Sequence, residues 1–265
     1  MTSENRTTSF GKRWGLAWSH PTLTGALALL TTLSAFGADL TGYTEEWPPY
    51  NYSEGGEIKG ISTDVLRAAC AIAKLDCDIH MVPWARAYKT AGRTPNTMVY
   101  TTARKPSREQ EFIWIGPILP RTTWVYVRQD LEKDIHDFSD LAQRQVGVVR
   151  DEAAAQDLIA AGVPQSALVQ QSSNADVLRL LESKRIDAMV DTEASMQWNL
   201  RQTALASVAV SKRMKLSDEG AYYFALNLDS DPALAIRLQD AIHKLRRDGK
   251  IDAIARRYGA TSKIK

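Results

Sequence analysis

Cys70 and Cys77 are the only thiols in the 265-residue chain, and His20, His80, His136 and His243 the only imidazoles. Neither set is spaced for metal or redox chemistry, which needs paired thiols in C-x-x-C or histidines repeated at short intervals. The chain contains no G-x-x-x-x-G-K-[ST], no G-x-G-x-x-G after a strand, no H-E-x-x-H and no G-x-S-x-G. It therefore carries no phosphate cradle, dinucleotide turn, metalloprotease helix or nucleophile elbow. No cofactor, metal or catalytic residue is expected. His80 falls on a strand-like segment and His243 on a helix-like one, positions that suit structural or solvated histidines. The chemistry left to the chain is non-covalent recognition by its charged, hydroxyl and aromatic side chains.

Those side chains need a scaffold, and the pattern supplies an α/β one. Strand-like and helix-like segments alternate along the sequence. Leu40–Tyr43 reads as a first strand, followed by Pro48-Pro49 and a turn at Ser53-Glu54-Gly55-Gly56. A helix follows Gly60, with Ser62 or Thr63 as cap and Val65, Ala68, Ala69 and Ile72 at helical spacing. Strands at Cys77–Val82 and Thr97–Thr101 flank a helix at Ala85–Ala91. Two long extended segments, one through Trp114 to Val127 and one at Ala221–Leu226, enclose a unit complete in itself. That unit reads strand Val146–Val149, helix Ala153–Ala161, strand Leu168–Gln170, helix Ala175–Glu182 and strand Ala188–Asp191. A last helix starts at Asp231-Pro232 and stops at Gly249. The simplest topology is two α/β lobes, the second inserted into the first, with the ligand cleft between them. The crossings are expected at Ile118–Thr122 and Gly220–Phe224.

The amino terminus addresses the compartment. Lys12 and Arg13 precede an apolar run within Leu23–Phe36 and a small-residue exit at Ala35-Phe36-Gly37, the pattern of a secretory signal peptide. The run is shorter than the roughly 20 residues that span a bilayer. A soluble, periplasmic product from residue 38 onward is expected. Beyond residue 37 the chain has 30 basic and 30 acidic residues, a neutral balance that argues against a nucleic-acid partner. In an oxidising compartment Cys70 and Cys77, at the end of one helix and just past it, are expected to pair.

The order of Trp47-Pro48-Pro49-Tyr50, Gly60-Ile61-Ser62-Thr63-Asp64-Val65-Leu66 and Lys105-Pro106-Ser107-Arg108, with Phe112 and Trp114 after it, resembles the family 3 solute-binding proteins of ABC importers. Asp140-Leu141 before Val146-Gly147-Val148, Arg185-Ile186-Asp187-Ala188, and the terminal Leu245–Lys250 and Arg256–Gly259 segments are similar to the same family. The resemblance implies a type II periplasmic binding protein fold. It divides the chain into a signal peptide at 1–37, a first lobe at 38–119 and 223–265, and a second at 120–222. It implies a monomer that closes around a small carboxylate-bearing solute, an amino acid by family habit, and delivers it to a membrane permease. Some basic-amino-acid binders of this family carry a disulfide of the same separation at the same helix end.

The resemblance also implies site roles. Arg108 takes the place of the family's carboxylate-binding arginine, with Lys105 where a threonine is usual and Arg104 as a second anion contact. A guanidinium suits that task because it is a planar two-pronged donor that stays charged when buried. Trp47 stands where the family places an aromatic wall, while Trp84 packs beneath the cleft with Arg86 more exposed. Thr101 and Thr102 offer hydroxyls at a strand end. Where the family binds the ligand ammonium with an aspartate, this chain has Thr192, between Asp191 and Glu193. Strand alternation turns those two acids to the face opposite Thr192, and a shift of one residue brings either into the cleft, Asp191 ahead of Glu193. Arg150-Asp151-Glu152 departs from the family's Gly-Thr. Two alternatives remain: an enzyme similar to cyclohexadienyl dehydratases, with Glu193, Asp191 or Glu46 as acid or base, and a ligand sensor module.

Overall fold

The computed structural model describes residues 38–202, 209–218 and 220–263. The expected leader at 1–37 lies outside them. Among the described residues no helix is long and apolar enough to cross a membrane.

Two five-stranded sheets organise the chain. The first has the order β4 (Cys77–Met81), β1 (Leu40–Thr44), β5 (Thr97–Ala103), β12 (Ala221–Asn227), β6 (Phe112–Pro120). β1 runs parallel to β4 and β5, and β12 antiparallel to β5 and β6. The helices of this lobe are α1 (Ile61–Ala73), α2 (Trp84–Ala91), α6 (Pro232–Arg247) and α7 (Lys250–Arg257). The second sheet has the order β11 (Val210–Ser217), β7 (Thr123–Arg128), β10 (Ala188–Thr192), β8 (Val146–Val149), β9 (Leu168–Gln171), with α3 (Ala153–Ala160), α4 (Asn174–Glu182) and α5 (Glu193–Gln202). A small hairpin, β2 (Tyr52–Glu54) and β3 (Glu57–Lys59), projects after the Trp47–Tyr50 turn. Among the described residues the chain leaves the first sheet at 121–122, after β6, and is back in it at Ala221, the start of β12. Ala221 and Tyr222 pair with Pro120 and Leu119 in the first sheet.

The elements form where apolar spacing and end signals agree. α6 buries Leu234, Leu238, Ala241, Ile242 and Leu245, and the Asp231 carboxylate accepts from the Ala233 N–H as its cap. α1 buries Val65, Leu66, Ala69 and Cys70 on one face. Its start differs from expectation: Gly60 is the cap, and Ser62 and Thr63 lie buried inside the first turn. Thr63 Oγ1 instead meets Tyr100 Oη at 3.0 Å. Gly60 is required there, since a Cβ would come within 2.4 Å of the Tyr50 carbonyl and φ is 120°. That close approach fixes the turn carrying Trp47 and Tyr50 against α1. Cys70 and Cys77 are bridged at the α1–β4 end of the first lobe.

Candidate functional site

The seam between the sheets encloses a cavity of about 20 Å³, lined by Glu45, Trp47, Trp84, Thr101, Arg108, Arg121, Thr123, Glu152, Asn174, Asp191 and Tyr222 among others. That volume holds about one water, so the lobes are shut upon each other.

Each lining side chain is delivered by a local device. Trp47 sits in a tight turn in which its N–H donates to the Asn51 carbonyl at 2.7 Å. Its ring packs 4.6 Å from Tyr50 and 5.5 Å from Tyr222. Thr101 has φ 63°, an uncommon left-handed conformation for a threonine, and the β5–β12 register skips it between Tyr100 and Thr102. This bulge leaves Thr101 Oγ1 free of the ladder to donate to Asn51 Oδ1. Arg108 closes a single 3-10 turn started by Pro106. Asp151, at φ 61° just before α3, turns its carbonyl towards the first lobe. There it accepts from Arg108 Nη2 at 2.7 Å and Trp84 Nε1 at 3.1 Å.

Further bonds cross the seam. Trp47 Nε1 donates to Asp191 Oδ1 at 3.1 Å, and Tyr50 Oη to Thr192 Oγ1 at 3.1 Å. Asp157 of α3 is held by Lys105 and by Arg121, whose Nη1 also donates to Ser217 Oγ at 2.9 Å.

Three polar atoms around the cavity are buried without a protein partner: Arg108 Nη1, Glu45 Oε2 and Thr123 Oγ1. Buried donors and acceptors left unpaired are costly, and here a guanidinium donor and a carboxyl oxygen face the same space. Three carboxyls share it. Burial raises the Glu45 carboxyl well above its usual range, and the negative charges of Glu152 and Asp191 push further. Glu152 is raised to about 7, by burial first and then by Asp191, against the opposing pull of Arg121 and Arg108. Asp191 is raised to about 6 by burial, opposed by hydrogen bonds from Trp47, Ser195, Thr192 and Asn174. Arg108 also lies 5.0 Å from the Tyr88 ring centroid and borders an open groove of about 710 Å³ with Arg86, Lys89 and Arg150.

Of the residues singled out in the sequence, Trp47, Thr101, Arg108 and Asp191 meet at the cavity. Thr192 lies behind Asp191, where its hydroxyl also accepts from the Ser195 N–H at 3.2 Å as a cap for α5. Arg104 is directed elsewhere: it pairs with Glu109 and lies over the rings of Trp114 and Tyr223. Thr102 turns its hydroxyl back to the Val99 carbonyl at 3.1 Å. Glu193 is not on the strand at all. It opens α5, half-exposed, and pairs with Lys212 at 3.1 Å. Glu46 accepts from the Ser53 N–H outside the cavity. Trp84, expected beneath the cleft, lines it. Glu45, Arg121, Asn174 and Tyr222 went unrecognised in the sequence. Glu152 was signalled only by the departure of Arg150-Asp151-Glu152 from the family pattern.

Solved structures share this fold at low identity. The arginine-, lysine-, histidine-binding protein ArtJ from Geobacillus stearothermophilus matches with TM-score 0.75 and 16% identity, over 84% of this chain and 96% of that one. A histidine kinase sensor domain with similarity to periplasmic binding proteins gives 0.74 and 20%, over 83% and 95%. An ancestral amino acid-binding protein, a precursor of cyclohexadienyl dehydratase, gives 0.71 and 18%, over 83% and 94%. Comparison with curated protein sequences gives no match. These neighbours have the two-lobe type II periplasmic binding protein fold, and the family model for bacterial extracellular solute-binding proteins, family 3, matches residues 40–261. The chain belongs to that family.

Proposed function

We propose that this protein is exported to the periplasm, closes around a single small amino acid and hands it to the permease of an ABC importer. The observation that carries the reading is the unpartnered Arg108 Nη1, buried in the same cavity as three carboxyls. A solute carboxylate would complete the guanidinium's bonding as a charge-assisted pair. Its ammonium would take Asp191 in place of the Trp47 indole. The described parts of the lobes would be 38–120 with 221–263, and 123–202 with 209–217, turning about the crossings at 121–122 and between Ser217 and Ala221. The closed state is favoured by whatever solute contacts exist only there. A thermal-shift screen of amino acids and their desamino analogues tests it. Stabilisation by an amino acid, reduced for its desamino analogue, is expected, and Asp191→Asn should narrow that difference. Equal stabilisation by both would reduce the ligand to a plain carboxylate.

One observation favours a second reading, an enzyme on this fold. A carboxyl such as Glu152, which holds its proton near neutrality beside Arg108, is what a dehydration needs as general acid. Turnover of prephenate or arogenate that disappears in Glu152→Gln would establish it. Absence of product above the uncatalysed rate would remove it.

A further inference from the structure

A short turn of the first lobe is fastened along one helix of the second. Lys105-Pro106-Ser107-Arg108 closes on itself through the Arg108 N–H, which donates to the Lys105 carbonyl at 2.9 Å. Its three polar side chains all reach across the seam. Arg108 donates to the Asp151 carbonyl just before α3, Ser107 Oγ donates to Gln156 Oε1 at 3.3 Å, and Lys105 pairs with Asp157. Arg108 lines the cavity, whereas Lys105 and Asp157 stand outside its lining. Their pair joins lobe to lobe and is not part of the solute's surroundings.

Asp157 is set in place from the hinge side. Arg121 stands where the chain leaves the first sheet, and its N–H donates to the carbonyl of Gly220 on the returning segment at 3.3 Å. Its guanidinium holds both Ser217 Oγ, at the end of β11, and Asp157. Those bonds need nothing from the first sheet, so parting the lobes would spare them. Of the two cations on Asp157, Lys105 alone comes from the first lobe. The Lys105 and Asp157 side chains are 19% and 14% exposed, and such a partly buried pair is screened less than a surface one.

We propose that Lys105 is a positioning residue that latches the cleft: it docks on an Asp157 held ready by Arg121, biases the lobes towards closure, and pins the Arg108 turn against α3. The latch rests on the closing motion proposed above. Opening the cleft costs this pair, so removing it raises the open population. Lys105 stands where the family usually has a threonine, which makes the latch a feature of this chain's departure from that pattern.

The seam indoles report opening with no solute present, since Trp47 Nε1 donates to Asp191 and Trp84 Nε1 to the Asp151 carbonyl. Hydrogen exchange of the ligand-free protein, followed by nuclear magnetic resonance, compares these two protons with the amides of β5 and β8, which global unfolding exposes. In the wild type the indole protons should exchange ahead of those amides. Lys105→Met and Lys105→Thr leave Asp157 its Arg121 and orphan no charge, so they should speed the indole protons by about 5- to 30-fold. The β5 and β8 amides should stay within about twofold, and Lys105→Arg, which keeps the charge, should return the indoles to within about threefold of wild type. Indole exchange unchanged by either truncation would overturn the latch, as would Lys105→Arg exchanging as fast as Lys105→Met. Acceleration of the core amides by the same factor would make the pair an ordinary stabilising bridge and overturn it too. If the wild-type indole protons exchange only together with the core amides, the lobes do not part, and the closing reading falls with the latch.

Discussion

Replacing Arg108 by methionine keeps much of the buried volume and deletes the guanidinium. In the free protein two effects oppose each other. The bond from Nη2 to the Asp151 carbonyl, 2.7 Å long and charge-assisted, is worth about 1.5–3 kcal/mol. The burial of Nη1 without a partner in a side chain 4% exposed costs about 1–3 kcal/mol, and that cost disappears with the charge. The two nearly cancel, so the melting midpoint should stay within about 4 °C of wild type for a chain of this size. On the proposed anchoring role there is no cancellation with solute bound, because the solute carboxylate would lose its counter-charge inside a closed cavity. Truncating one side of such a pair costs about 2–5 kcal/mol, or about 30- to 5,000-fold in Kd. Calorimetry with an amino acid that stabilises the wild type, alongside thermal melting, reads both quantities. A Kd within threefold of wild type would refute the anchoring role. A midpoint lower by more than about 10 °C would instead make Arg108 a structural latch.

Arg104→Ala should leave solute affinity within twofold, since Arg104 pairs with Glu109 outside the cavity; a loss matching that of the Arg108 variant would contradict this placement. Opening the Cys70–Cys77 bridge, which spans a separation of seven residues, removes about 2.4 kcal/mol of chain-entropy stabilisation. The midpoint of Cys70→Ser/Cys77→Ser should fall by about 5–10 °C with solute affinity unchanged, as paired melting and calorimetry would reveal. The raised carboxyls also set a pH dependence for the ligand-free protein. A carboxyl whose folded pKa lies above its unfolded value binds more protons folded, so its stabilisation is full below the unfolded value and is lost as pH rises through the folded one. With Glu152 near 7 and Asp191 near 6, the midpoint should drop between pH 5 and 8. Glu152→Gln should flatten that drop, and a level or rising wild-type profile would show the cluster to be solvated.

Much of the scaffold was legible because local signals and tertiary placement agree. β8 is a short all-apolar run buried on both faces, and α6 begins and ends at Asp231-Pro232 and Gly249, where its end signals lie. β11 escaped notice because Lys212, Arg213 and Lys215 interrupt its apolar residues and two register shifts break its alternation. Such charge suits an edge strand but hides it from a search for period two. The site divides along a different line. Arg108 is legible because it takes the place of the family's carboxylate-binding arginine, and Asp191 because a one-residue shift beside Thr192 would turn it inward. Glu45 and Glu152 each have an acidic neighbour, and only the fold decides which of two adjacent carboxyls turns inward. Glu45 faces the cavity while Glu46 turns to Ser53. Glu152 faces in while Asp151 offers only its carbonyl to Trp84 and Arg108.

The two indoles at the seam give the closed state an optical signature. Trp47 and Trp84 belong to the first lobe, are 5% and 2% exposed, and donate to Asp191 and to the Asp151 carbonyl of the second. On the proposed closing motion, parting the lobes would break both bonds at once and move two indoles from a buried, tyrosine-lined seam into water. Their emission should shift to longer wavelength with each opening and return on closure. Intrinsic fluorescence, with no attached dye, would therefore time the proposed opening and shutting of the cleft.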